Sequence, residues 1–270
     1  MGLPFELTDK GPVIEAPLRT AAQIAELASF DPELETGFLM EAIRRLVTNL
    51  GPDVPVLGFA AAPWTLACYM IEGHGKDGFP TAKALLYSEP ALFRSLLEKI
   101  ARATAIYLRA QIAAGAAAVQ LFDTWVGELT LQQYHEFALP ATQLLISEMH
   151  PGRTPVILYS KASSHLLPAL AQSGANVLSV DWRVDLGTVR EQVGANIALQ
   201  GNIDPCMLLG PADGVRQAAI AAVESSGGIG HILNLGHGIL QQTPVENARA
   251  FVQAGQSAAL GVNASPGRVS

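Results

Sequence analysis

The chain has 270 residues, 49% of them hydrophobic and only 15% charged, with a net charge of −7. That length and apolarity suffice for a large core, while the acidic balance and the lack of a Lys/Arg cluster argue against a nucleic-acid partner. The stretch nearest to a membrane span, TAIYLRAQIAAGAAAVQLF, is cut by Arg109, Gln111 and Gln120, short of the ~18 apolar residues a crossing needs; with no basic segment leading into an apolar one at the N-terminus, the cytoplasm is the expected compartment.

In chain order, Phe5 and Leu7 alternate with polar residues like a short strand, and Lys10-Gly11-Pro12 then turns the chain. Residues 34–50 place Phe38, Leu39, Ala42, Ile43, Leu46 and Leu50 on one helical face, and residues 90–114 do the same with Leu92, Leu96, Ile100, Ala103, Tyr107 and Ala110. Both faces are expected to pack on a sheet. Six apolar runs read as buried strands: 54–61, 116–123, 155–161, 177–181, 196–203 and 230–237. Pro140 is expected to kink the helix LQQYHEFALPATQLLISEM without ending it, because the apolar period resumes beyond it. Gly174 marks a helix stop. Thr243-Pro244-Val245-Glu246 reads as a capping box opening a helix to about Leu260, and the remainder, 261–270, as a disordered tail. Cys68 and Cys206 lie in no ligand or redox spacing and are expected to be buried, reduced thiols.

Strands alternating with helices indicate a parallel sheet covered by helices. An open doubly wound nucleotide binder should carry a glycine-rich turn, and GFAAAPWTL has none. The expected fold is therefore α/β, a (β/α)8 barrel forming one domain over residues 1–260, although six strands are legible where closure needs eight. Low charge also suggests that the surface is partly covered by oligomerisation.

In such a fold chemistry sits just after each strand. Those positions read APWTLACYMIEG, FDTW, YSKASSH, DWR, GNIDP and NLGHG. His237, between Gly236 and Gly238, has a backbone free to approach a ligand on both sides and an imidazole that could meet an anion, or it is a loop histidine with local bonds. Tyr69 and Thr124 offer hydroxyls at two strand ends, though a residue of either kind, taken singly, is more often a satisfied structural polar group. Asp181-Trp182-Arg183 suits an internal ion pair or a substrate contact, and Asp204 before Pro205 suits a turn or cap. No G-x-S-x-G elbow occurs, and no metal set can be assembled.

Taken together, APWTLACYMIEG, QLFDTW, VDW, LQGNIDP and NLGHGILQQTP resemble, in the same order and at similar separations, stretches of the uroporphyrinogen decarboxylase family. The resemblance runs over residues 1 to about 260. It implies a (β/α)8 barrel, usually a homodimer, that removes CO2 from the four acetate side chains of a cyclic tetrapyrrole without cofactor or metal, giving coproporphyrinogen for heme or chlorophyll synthesis. By motif, Tyr69 matches the family's substrate-contacting tyrosine and is the catalytic candidate. Thr124 matches a Ser/Thr whose hydroxyl meets a substrate carboxylate, His237 a histidine near a propionate, and Phe59 a residue of the cavity wall.

The resemblance also implies, ahead of the position matching Met1, an R-Q-A-G-R loop and a strand ending in F-S-D, which supply two arginines and an aspartate to the substrate. These motifs have no counterpart in the 270 residues. The expectation is that Met1 matches an internal position, that a barrel strand is lacking, and that this chain alone is inactive or impaired. Two other readings follow: a fragment that binds porphyrins or pairs with a full-length subunit, and a cobalamin-linked methyltransferase of the same fold. The latter would need zinc ligands, which the stretch around Cys206 does not supply.

Overall fold

A computed structural model describes residues 1–8, 11–75, 78–227 and 230–264. They group into two compact units, Met1–Lys161 with Gln172–Ala175, and Ala162–Ala171 with Asn176–Ser270.

The first unit opens with an antiparallel ribbon, β1 (Glu6–Thr8) and β2 (Gly11–Val13), paired from Glu6 against Val13. The expected turn falls partly outside the described residues at Lys10, and Gly11 and Pro12 already belong to β2. Helices α1 (Ala21–Glu26) and α2 (Pro32–Leu50) follow, each opened by a side chain that accepts orphan backbone N–H groups, Thr20 and Asp31. Then come β3 (Leu57–Ala61), α3 (Pro63–Glu72), α4 (Pro80–Ser88), α5 (Pro90–Ala113) and β4 (Ala118–Asp123). The next helix runs through α6 (Leu131–Gln133), a π-helical segment Tyr134–Ala138 and α7 (Leu139–Met149), before β5 (Val156–Ser160). Pro140 sits in the first turn of α7, and the wider π turn just before it carries the chain past the missing N–H, so the helix continues as expected.

Strands β3, β4 and β5 are parallel, with Phe59 beside Gln120 and Gln120 beside Ile157. Gly58, Ala60, Val119, Leu121 and Asp123 alternate onto a buried face, and α3, α5 and α7 supply Trp64, Phe93, Leu96, Ile100, Leu108 and Leu145 to the core. On the side of β3 that β4 leaves open, the Phe59 N–H donates to Gln111 Oε1 at 2.9 Å and Gln111 Nε2 donates to the Phe59 carbonyl at 3.0 Å. A helix side chain thereby satisfies the strand edge. Gly58 makes room for it: a Cβ there would lie 2.6 Å from Gln111 Oε1.

Helix α2 departs from expectation. Only Met40 and Ile43 are buried, packed with Leu39 and Val47 against Val56, Tyr107, Ala110 and Ala114. Phe38, Leu46 and Leu50 are exposed. The apolar period is correct for a helix, but α2 lies on α5 and not on the sheet, and a helix neighbour covers a narrower stripe than a sheet would.

In the second unit, α8 (Leu167–Leu170), β6 (Val177–Val180), α9 (Leu186–Val193), β7 (Ala198–Ile203), α10 (Ala212–Ser225), β8 (His231–Leu235) and α11 (Val245–Ala264) alternate in turn. Strands β6, β7 and β8 are parallel. Helices α10 and α11 cover them through Val215, Ala219, Phe251 and Ala254, which pack with Ile203, Leu208, Leu233 and Leu235.

Helix α11 begins at Val245, one residue past the expected Pro244, and the capping box is not formed. Pro244 is the residue whose carbonyl accepts the first N–H groups, from Asn247 and Ala248, and the buried Thr243 hydroxyl has no partner among the described residues. The helix reaches Ala264, past the expected stop at Leu260 and into the expected tail, of which 265–270 lie outside the described residues. Cys68 is buried, and burial pushes its thiol well above the ordinary range; Cys206 is exposed, against expectation, because the Pro205–Leu209 turn presents it outward. Six parallel strands, each leading to helices, give both units the α/β pattern of the (β/α)8 fold.

Candidate active site

At the end of β4 the chain is fastened from behind. Asp123 faces the helices with 1% of its surface exposed, and Thr65, one turn into α3, donates its hydroxyl to Asp123 Oδ1 at 2.8 Å. The same hydroxyl accepts from the Trp125 N–H at 3.2 Å, while Trp64 Nε1 donates to the Trp125 carbonyl at 2.9 Å. Burial drives the Asp123 pKa up to about 7, with the Thr65 hydrogen bonds opposing it. The neighbouring Tyr134 hydroxyl is buried without a partner among the described residues, and desolvation and the Asp123 charge both push its pKa up. Asp123 is thus a carboxyl kept dry enough to hold its proton near neutrality.

The consequence is a rigid wall on the other face. Tyr69 projects from α3 with its ring 6.3 Å from that of Trp125, and Phe79 packs at 5.0 Å on the same indole. Thr124, between Asp123 and Trp125, is partly exposed. By strand alternation it continues the face that carries Phe122, whose ring meets Phe59 at 5.9 Å and Tyr159 at 5.7 Å. Phe59 is 62% exposed at the open edge of β3. The first unit therefore brings together three of the four residues singled out in the sequence: Tyr69 and Thr124 around Trp125, and Phe59 further down the same strand face.

His237 belongs to the second unit, where close backbone packing accompanies a buried carboxyl, that of Asp181. It is exposed, directly after β8 and Gly236. Gly236 is not free to approach a ligand, contrary to the reading of the flanking glycines. Its N–H donates to the Ile203 carbonyl at 2.7 Å, and a Cβ there would lie 2.6 Å from Trp182 N and 3.1 Å from Asp181 Cα. Gly238, by contrast, has nothing within 4 Å of where a Cβ would sit. Asp181, 3% exposed, accepts from the Ala162 N–H at 2.8 Å and from the Arg183 N–H at 3.2 Å, and pairs with the Arg183 guanidinium, which lies over Trp182. Asn202 Nδ2 donates to the Asp181 and Val184 carbonyls at 2.8 and 2.6 Å. Asp204 caps the Pro205–Leu209 turn by accepting from Cys206 N at 2.9 Å. D-W-R, G-N-I-D-P and N-L-G-H-G are thus one interlocked support.

Asp123 and Thr65 were not singled out in the sequence. A Thr one turn into a helix carries no signal by itself; the pairing follows only from the fold. Among the described residues no three His, Cys, Asp or Glu side chains come together in a metal-binding group, and no helix is long and apolar enough to cross a membrane.

A parallel α/β frame with an aromatic and hydroxyl-bearing wall at its strand ends defines an enzyme of the (β/α)8 type, and the comparisons narrow it. The profile of the family described as Uroporphyrinogen decarboxylase (URO-D) matches residues 1–258. A uroporphyrinogen decarboxylase from Synechocystis sp. is 43% identical over 257 residues, 94% of this chain and 73% of that protein. One from Gloeobacter violaceus is 44% identical over 263 residues, 96% of this chain and 76% of that protein. Among solved structures, a methyltransferase from Methanosarcina mazei superposes with a TM-score of 0.81 at 24% identity, over 95% of this chain and 76% of that one, a likeness of fold. The chain belongs to the uroporphyrinogen decarboxylase family.

Proposed function

We propose that the chain acts on uroporphyrinogen as a carboxy-lyase, releasing CO2 from its four acetate side chains to leave coproporphyrinogen. The observation that carries this reading is the identity of 43–44% with uroporphyrinogen decarboxylases across nearly the whole chain. The chemistry suits a site of hydroxyls and aromatic rings. A proton adds to the ring carbon adjacent to the one bearing the acetate, the CH2–CO2 bond breaks, and its electron pair forms an exocyclic double bond as the cationic ring accepts the electrons. Protonation of that CH2 and loss of the ring proton then return a pyrrole carrying a methyl group. The protein's task is to hold carboxylates and meet charge as it develops, which preorganised dipoles do well.

In this reading Tyr69 contacts the reacting pyrrole and Thr124 donates its hydroxyl to a substrate carboxylate. His237 serves a propionate and Phe59 lines the wall. Thr124 suits its role because the Asp123 and Trp125 hydrogen bonds on either side fix its backbone before substrate arrives. Residues 1–260 are read as one catalytic domain, supported by a single family profile that spans both units. A homodimer in the cytoplasm, with no nucleic-acid partner, is the setting that the net charge of −7 and the family favour.

Anaerobic incubation with uroporphyrinogen, followed by chromatography of the oxidised porphyrins, tests the proposal. Products with fewer than eight carboxyls, above an enzyme-free control, are expected. Binding without turnover would favour a porphyrin-binding chain, and neither binding nor turnover would overturn both. The Methanosarcina likeness keeps a methyltransferase in view at the level of fold; stoichiometric zinc in the purified protein would be its mark.

A further inference from the structure

An octacarboxylate substrate on a chain of net charge −7 needs positive charge placed locally. The described Lys and Arg residues are mostly committed elsewhere: helix-surface arginines pair with Glu33, Glu41, Glu136 and Glu148, and others donate to backbone carbonyls. At the C-terminal ends of the strands two basic residues stand, Lys161 after β5 and Arg183 after β6. Arg183 is held by the buried Asp181. Lys161 has no carboxylate partner among the described residues.

We propose that Lys161 is the cation β5 presents to a substrate carboxylate beside Thr124, which rests on the decarboxylase reading above. Asp123 and Ser160 are the last residues in register between β4 and β5, and Thr124 and Lys161 are the residues by which the chain leaves these two adjacent strands, which lie about 5 Å apart. Alternation puts both on the face that carries Phe122 and Tyr159, while the Asp123 carboxyl is turned to the opposite face, where Thr65 donates to it. The Lys161 ammonium sits 5.5 Å from the centre of the Trp125 ring. That contact orders the lysine without neutralising it, because an aromatic face attracts a cation through its quadrupole and carries no net charge. Trp125 is fixed through its own N–H, its carbonyl and its rings' contacts with Phe79 and Tyr69. The result is a charged donor and a hydroxyl donor side by side on one rigid wall, a suitable seat for one carboxylate.

Titration of uroporphyrin into the 270-residue chain, followed by fluorescence at several salt concentrations, tests the assignment with Lys161→Met and Lys161→Arg. Lys161→Met is expected to weaken binding by about tenfold or more and to flatten its salt dependence, with an unchanged thermal midpoint; Lys161→Arg should recover most of the affinity. Lys161→Met binding within about twofold of the parent with the same salt slope would overturn the proposal, as would equal losses in both variants alongside a lowered midpoint. Failure of the parent itself to bind would instead overturn the decarboxylase reading, and Lys161's role with it.

Discussion

Strand β4 lies between β3 and β5 in the first unit, β8 pairs with β7 at the end of the strand order in the second, and their C-terminal ends are organised by different means. After β4, a nearly inaccessible carboxyl and a threonine hydroxyl clamp the chain from the helix side, and aromatic rings stack on the result. After β8, a glycine with no side chain lets the backbone press onto Asp181 and Trp182, and the histidine that follows stands in solvent. The first is a polar network whose strength depends on the protonation of Asp123; at the second, the seat of Gly236 itself is a steric fit of backbone on backbone. Side chains aimed at a ligand can be held by either device, but the two fail under different perturbations.

The largest expected effect is electrostatic. With its folded pKa raised to about 7 from 3.8, Asp123 binds a proton more tightly in the folded chain. Its contribution to stability is complete below the unfolded value and is lost as pH rises toward about 7, a change on the order of 4 kcal/mol. Urea unfolding of the parent and of Asp123→Asn at a series of pH values should show the parent losing stability relative to the variant across that window. Parallel curves would mean that Asp123 ionises in the folded state as it does in water.

Next in size is Gly236→Ala, expected to cost about 2–3 kcal/mol because its Cβ meets backbone that cannot rotate away. Gly238→Ala, two residues on, should fall within about 0.5 kcal/mol of the parent, so thermal unfolding of the pair isolates close packing from loop flexibility. Thr65→Val removes a donor from Asp123 and an acceptor from Trp125, and should cost roughly 1–3 kcal/mol. Its uroporphyrin affinity should fall as Thr124 loosens, whereas a loss of stability with intact affinity would confine Thr65 to a scaffolding role. The smallest effect is expected for Phe59→Leu, which keeps an apolar wall at an exposed position and should change affinity by about twofold at most.

Much of this was legible in the sequence for a physical reason. Buried parallel strands are continuous apolar runs, and the six runs between residues 54 and 237 became the six parallel strands, each trimmed by one to three residues at its ends. The strand-end motifs fall in the segments that follow the strands. What sequence could not supply was the partner of each surface. The apolar stripe of α2 says that something covers it, not that α5 covers only Met40 and Ile43. FDTW drew attention to the hydroxyl of Thr124, yet the burial of Asp123 depends on Thr65, 58 residues away. Lys161 was one cation of a short motif until the pairing of Asp123 with Ser160 set the ends of β4 and β5 side by side. Gly236 and Gly238 look alike in N-L-G-H-G, and only the proximity of Asp181 and Trp182 separates them.

The most direct measurement is a crystal structure of the chain with uroporphyrin bound. A carboxylate oxygen within about 3.5 Å of the Thr124 hydroxyl, with the tetrapyrrole against Tyr69, is the predicted result. A tetrapyrrole bound away from the end of β4, with Thr124 and Tyr69 untouched, would contradict it.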